Sequence, residues 1–185
     1  MKNCILKISF VFCVLWTAVT PLLAQKNVHT RKVSVGAYVE VGGSCGFYSV
    51  NIEPRVKLEP QHTVGIRAGI SDYSGGQNLL FVSSRVSVTA VPVLATYSWQ
   101  PNAEYNHFLE FGVGKVFASW EESVNTLLIG GDISTKYFKT SATTLNVGYR
   151  YQNPKGFMFK AGVATFTNVK GKALTLPAVS VGYTF

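Results

Sequence analysis

The feature that most constrains this chain is the alternation of its side chains. From Val33 onward, apolar residues recur at every second position, with small, polar or charged residues between them. That period of two belongs to a β-strand with one apolar and one polar face. The first stretch sets Val33, Val35, Ala37, Val39 and Val41 against Ser34, Gly36, Tyr38 and Glu40. The last sets Val179, Val181, Tyr183 and Phe185 against Ser180, Gly182 and Thr184, and its final aromatic is the last residue given.

Six further segments lie between them: Tyr48–Leu58, Thr63–Ser71, Leu79–Trp99, His107–Phe117, Thr143–Tyr151 and Phe157–Phe166. Most are about nine to eleven residues long, the length at which a tilted strand crosses a bilayer. Short connections (Glu59–His62, Pro101–Asn106, Asn153–Gly156) alternate with longer ones, and Ser119–Thr140 reads as the longest polar loop. Within Leu79–Trp99 the apolar parity changes near Val91-Pro92, which predicts a β-bulge. Together these segments predict an all-β fold, an eight-stranded antiparallel up-and-down transmembrane β-barrel over residues 33–185. Backbone groups in lipid have to be paired, so the last strand is expected to close on the first.

The N-terminus carries Lys2 and Lys7, an apolar run from Ile8 to Val19, and Pro21-Leu22-Leu23-Ala24. That order predicts a cleaved secretory signal peptide over residues 1–24, followed by a periplasmic segment over 25–32. Composition bears on the same point. Charged residues make up 14% and aromatics 13%, against about 25% charged in ordinary soluble domains. The net charge of +8 is not gathered into a basic, aromatic-rich segment, so no nucleic acid is expected as a partner. Cys4 and Cys13 lie in the leader and leave Cys45 alone, too few for a disulfide framework or a thiolate metal site.

Val179, Val181, Tyr183 and Phe185 also carry a resemblance. On them the chain resembles the small eight-stranded outer-membrane β-barrel family, with its OmpX/Ail-like and OmpA-transmembrane-domain-like members. The stretch "AVPVLATYSW…NHFLEFGVGK" is similar to the central hairpin of porin-like barrel proteins. The resemblance implies the outer membrane of a Gram-negative bacterium, with the four terminal residues read as an assembly signal by the barrel insertion machinery. It also implies contact with outer-membrane lipid and lipopolysaccharide, and a monomer.

The polar parity collects Glu40, Glu53, Arg55, Lys57, Arg67, Glu110, Arg150 and Lys160. A charge facing lipid at mid-depth costs about 2–4 kcal/mol, so these residues are expected in the lumen. An eight-stranded barrel is just filled by side chains, and charges there are expected to pair into a structural ionic network. Glu110 is expected to find Arg150 on the neighbouring strand, or Arg67 across the lumen. A narrow conduit is the alternative to such a plug.

Catalysis would require a nucleophile or base at the outer leaflet, as in lipid A-modifying barrels. His29, His62 and His107 all fall at the periplasmic end, and no GxSxG motif or metal-ligand cluster is present. No enzyme, cofactor or metal site is therefore expected. The function expected is structural or surface-interacting, in adhesion or envelope integrity, with a surface ligand at the outer loops and chiefly at Ser119–Thr140. Transport of small solutes, porin-like or OmpW-like, is the runner-up. A soluble lipocalin-like barrel would carry its apolar residues inside instead.

Overall fold

The computed structural model describes residues 31–79, 82–102, 106–126, 134–167 and 173–185. The expected signal peptide over residues 1–24, most of the 25–32 segment and His29 lie outside the described residues. Eight strands form a closed antiparallel barrel in chain order. They are β1 (Val33–Gly42), β2 (Tyr48–Glu59), β3 (His62–Leu79), β4 (Val82–Trp99), β5 (His107–Thr126), β6 (Ser134–Gln152), β7 (Phe157–Thr167) and β8 (Ala173–Thr184).

Closure joins β8 to β1. Val39 lies opposite Val181 and Val41 opposite Val179. Val35 and Phe185 exchange two backbone hydrogen bonds, of 3.1 and 2.8 Å. The three tight connections all fall at the end of the barrel that carries the C-terminus, here the terminal end. At Asn153–Gly156 the turn closes through Gly156 N–H to Asn153 O (3.0 Å), and the Asn153 side chain accepts from Phe157 N–H. Gly156 has φ 108°, a conformation that glycine adopts without the strain a Cβ would bring.

The alternation becomes two surfaces. On β2, Asn51, Glu53 and Arg55 are buried while Val50, Ile52 and Val56 face outward. Outward-facing Val39, Val113, Leu145 and Val181 are each half-exposed, and they belong to an apolar belt around the barrel.

Two expectations are corrected. No bulge interrupts β4 at Val91-Pro92: Val91 pairs with Phe117 and Pro92 with Val116 in an unbroken register from Trp99 to Val82. The irregularity lies instead on β2, between Lys57 and Glu59. Nor is Ser119–Thr140 a loop, because Ser119 pairs with Lys139 and the ladder continues to Val124 opposite Ser134. β3 to β6 therefore run for 18 to 20 residues, against 10 to 12 for β1, β2, β7 and β8. The barrel is lopsided, with a four-stranded wall rising from its far end.

The parity change near Val91 has a different cause. Ile70, Val91 and Phe117 form one outward apolar row. One step higher, the outward row is Asp72, Thr89, Ser119 and Lys139. On the inner face at that height, Tyr73, Val88, Trp120 and Phe138 stand directly opposite one another across the four strands. The strand keeps its pleat while the chemistry of its two faces exchanges.

Candidate functional site

The inward parity brings the ionisable residues together in two clusters. In the lower one, Glu53 is fully buried and its Oε2 accepts from Lys160 Nζ (2.8 Å) and Arg150 Nη1 (3.2 Å). Its Oε1 accepts from Thr96 Oγ1 (2.9 Å). Glu110 accepts from the same two cations, at 2.6 Å from Lys160 and 3.3 Å from Arg150. Arg150 also donates to Gln152 Oε1, through Nε (3.1 Å) and Nη2 (2.7 Å), and to Thr184 Oγ1 (3.1 Å). Two acids thus share two cations. Shared partners of this kind meet the requirement that buried charge be compensated.

The upper cluster sits under the β1–β2 connection. Arg67 pairs with Glu40, and its Nε donates to Asn51 Oδ1 (3.2 Å). Asn146 turns its amide oxygen toward Arg67 Nη1 (3.2 Å) and Ser44 Oγ (2.8 Å). A short 3-10 turn, Gly43–Cys45, folds inward, so that Ser44 is fully buried and its backbone N–H donates to Glu40 Oε1 (3.2 Å). Gly43, at φ 61°, brings the backbone against the Glu40 carboxylate, where a Cβ would collide. Between the clusters Tyr38 lies buried, with Lys160 Nζ 4.3 Å from its ring centroid and Arg67 5.7 Å from it.

Glu110 therefore reaches Arg150, as one of the two pairings read from the sequence, but lies nearer Lys160. Arg67 takes Glu40 instead. Lys57 stands at the terminal mouth beside Arg31 and Thr63, outside both clusters. A cavity of about 40 Å³ lies among Glu40, Arg67, Glu110 and Lys160, and another of about 20 Å³ at the terminal mouth. Each is on the scale of a few water molecules at most, and the buried Glu53 and Arg150 lie between them.

The described histidines face outward at the terminal end. His62 Nδ1 lies 2.6 Å from Tyr97 Oη, and His107 is bonded to Tyr149 Oη. His62 Nε2 also lies 4.0 Å from the exposed carboxylate of Glu59. Among the described residues no group of three His, Cys, Asp or Glu side chains is placed to hold a metal ion. Cys45 is half-buried, and burial pushes its thiol up to about 11, away from the thiolate.

On the outside of the belt a groove of about 490 Å³ runs over Val64, Ala95, Tyr97, Phe111, Val113 and Leu145. Beneath it the ladders are unbroken, with Gly65 opposite Thr96 and Thr96 opposite Gly112. It is a surface depression, with no lateral opening through the sheet.

The wall is the part that sequence reasoning missed. Trp120 and Phe138 pack with ring centroids 5.8 Å apart, and Phe47 from the β1–β2 connection stacks on Tyr73 at 4.3 Å. On the opposite face, Thr89 Oγ1 donates to Asp72 Oδ1 (3.4 Å) and Tyr137 Oη to Glu121 Oε1 (3.3 Å). The parity change was the available signal, and it marks this exchange of faces rather than a bulge.

No family model matches the sequence, and no curated protein matches it. Solved structures do match. A major outer membrane protein from Thermus thermophilus aligns at 8% identity with a TM-score of 0.58, over 84% of this chain and 100% of that one. Ail, the attachment invasion locus protein of Yersinia pestis, solved with the heparin analogue sucrose octasulfate, aligns at 14% identity and 0.55, over 83% and 96%. CarO of Acinetobacter baumannii aligns at 11% and 0.52, over 85% and 99%. At these identities the likeness is one of fold, that of the small outer-membrane barrels.

Proposed function

We propose that this chain is an integral outer-membrane β-barrel with a closed lumen, acting as a structural or surface-interaction protein through the wall of β3–β6. In this reading residues 1–24 are a cleaved signal peptide, and the terminal end faces the periplasm. The carrying observation is the exchange of faces along β3–β6. Up to the row of Ile70, Val91 and Phe117 the outward side chains are mainly apolar, with Lys115 opposite Val93 as an exposed exception, and above that row they are polar, as expected where the surroundings change from lipid to water. The ion-paired clusters, which fill the lumen, support a scaffold over a conduit. The inner face of the wall, with the exposed rings of Tyr73, Trp120 and Phe138, supports a role in surface contact, since exposed apolar patches mark interaction sites. Ail, of the same fold, was crystallised with a heparin analogue, which supports a surface ligand here too. Val179, Val181, Tyr183 and Phe185 serve in this reading as the assembly signal.

Topology tests the reading directly. In a Cys45→Ser background, a single cysteine replacing Lys139 reacts with an impermeant maleimide on intact cells, and one replacing Lys155 does not. Labelling at Lys155 alone would invert the orientation. In a planar bilayer the protein is expected to remain non-conducting, and well-resolved unitary openings would overturn the closed lumen.

A further inference from the structure

We infer that the groove on the outside of the belt seats one phospholipid, with an acyl chain against Ala95 and the headgroup at Glu59 and His62. The inference rests on the reading of the belt as lipid-facing, and it concerns a different surface from the wall. Two adjoining outward rows form the groove. Tyr97 and Phe111 belong to the row nearer the terminal end, and Ala95 to the next, between Ile66 and Val113. Ala95 has only a methyl group where its two row neighbours are branched. Between the rows, Thr96 and Asn146 also line the groove. Their side chains are held in the lumen by Glu53 and Ser44, so β4 and β6 present main chain there. Gly65 and Gly112 complete that rung without a side chain. The groove is therefore deep enough to reach the sheet itself. Its volume of about 490 Å³ falls within the roughly 300–1,000 Å³ of ligand pockets.

Position decides the occupant. Tyr97 and Ala95 follow Trp99 inward along β4 from the terminal end, which puts the groove roughly 5–10 Å into the belt on tilted strands. Apolar walls at that depth offer water no partner, whereas a hydrocarbon chain buries its own surface against them. Polar groups stand where the headgroup of such a lipid would lie. The Tyr97 hydroxyl, at the groove wall, is 2.6 Å from His62 Nδ1, and His62 Nε2 is 4.0 Å from the Glu59 carboxylate. With the hydroxyl donating to Nδ1, Nε2 carries the proton and donates to a phosphate. Glu59 attracts an ammonium group and repels a second anion. A zwitterionic headgroup of phosphate and amine matches that pair, and an anionic one does not.

The test supplies phosphatidylethanolamine to the purified protein in detergent and follows it by native mass spectrometry. One bound lipid per chain is expected to survive release from the micelle. Ala95→Phe fills the groove from a lipid-facing position and is expected to lose that adduct, and Ala95→Leu, with less bulk, to weaken it. Ala37→Phe makes the same change on β1, between Ile52 and Tyr183 and away from the groove, and is expected to keep it. Phosphatidylglycerol with the same acyl chains should give a weaker adduct, and Glu59→Gln should bring the two lipids closer to equal. Equal adducts in Ala95→Phe and Ala37→Phe, or none in the parent, would overturn the seat. Equal binding of the two lipids by the parent would overturn the headgroup placement. The reading of the belt fails separately, if the protein stays monodisperse once detergent is removed.

Discussion

The lower and upper halves of β3–β6 are the same four strands in the same register, yet their faces are opposite in kind. In the belt, Ile66, Ala95, Val113 and Leu145 face outward, while Arg67 and Thr96 face the lumen. In the wall, Asp72, Thr89, Ser119 and Lys139 face outward, and Tyr73, Val88, Trp120 and Phe138 face in. Which face of a strand is apolar is therefore not a property of the strand. It follows from what surrounds the sheet at each height, while the pleat carries on unchanged. A bulge would have kept the apolar face outward by shifting the backbone. The chain instead lets the polarity cross over.

The comparison can be broken hardest in the belt lumen. Arg150→Ala leaves the fully buried Glu53 and the part-buried Glu110 short of a cation and is expected to cost about 3–5 kcal/mol, read from the unfolding midpoint in detergent. A double-mutant cycle sharpens this. Coupling of Glu110 with Lys160, its nearer partner, is expected to exceed coupling of Glu110 with Arg150. If the losses in both cycles simply add, Glu110 has no partner in the lumen.

A second prediction compares the outer faces directly. Val113→Arg places a charge in the belt and is expected to cost about 2–4 kcal/mol. Ser119→Arg, on the same strand within the wall, should lie within about 0.5 kcal/mol of the parent. Equal costs at the two positions would mean that both see the same surroundings. The inner face of the wall gives a smaller effect. Trp120→Ser removes a ring that is 37% exposed, and a loss of about 1–2 kcal/mol is expected, below that of a buried aromatic.

Truncation at Phe185 examines the other side of the barrel. Deleting it removes both bonds to Val35 and is expected to lower the amount of assembled protein in the membrane several-fold. Undiminished levels would separate the terminal motif from assembly. The smallest effect concerns the water-facing side of the wall. The carboxylate of Glu121, which accepts the Tyr137 hydroxyl, raises the Tyr137 phenol above its ordinary value. Glu121→Gln is expected to return the ultraviolet titration of that phenol toward the usual range.

Much of this was legible residue by residue. The alternation alone assigned Glu40, Glu53, Arg55, Arg67, Glu110, Arg150 and Lys160 to one face, because side-chain direction in a strand depends on nothing beyond the count from a neighbour. Closure of the last strand on the first follows the same way, from the need to pair every edge in lipid, and the three tight turns announced themselves by their glycine, proline and asparagine. Only the tertiary structure decided the partners. Arg67 of β3 reaches Glu40 of β1 past the intervening β2, and Lys160 of β7 reaches Glu110 of β5 past β6. Such contacts depend on the stagger of a closed sheet and on how far each side chain extends into the lumen, neither of which is encoded in a period of two. The height of the wall was hidden for a related reason. A strand that leaves lipid for water exchanges its apolar face, and a reading that holds the apolar face outward takes the crossing for a bulge and the strand above it for a loop.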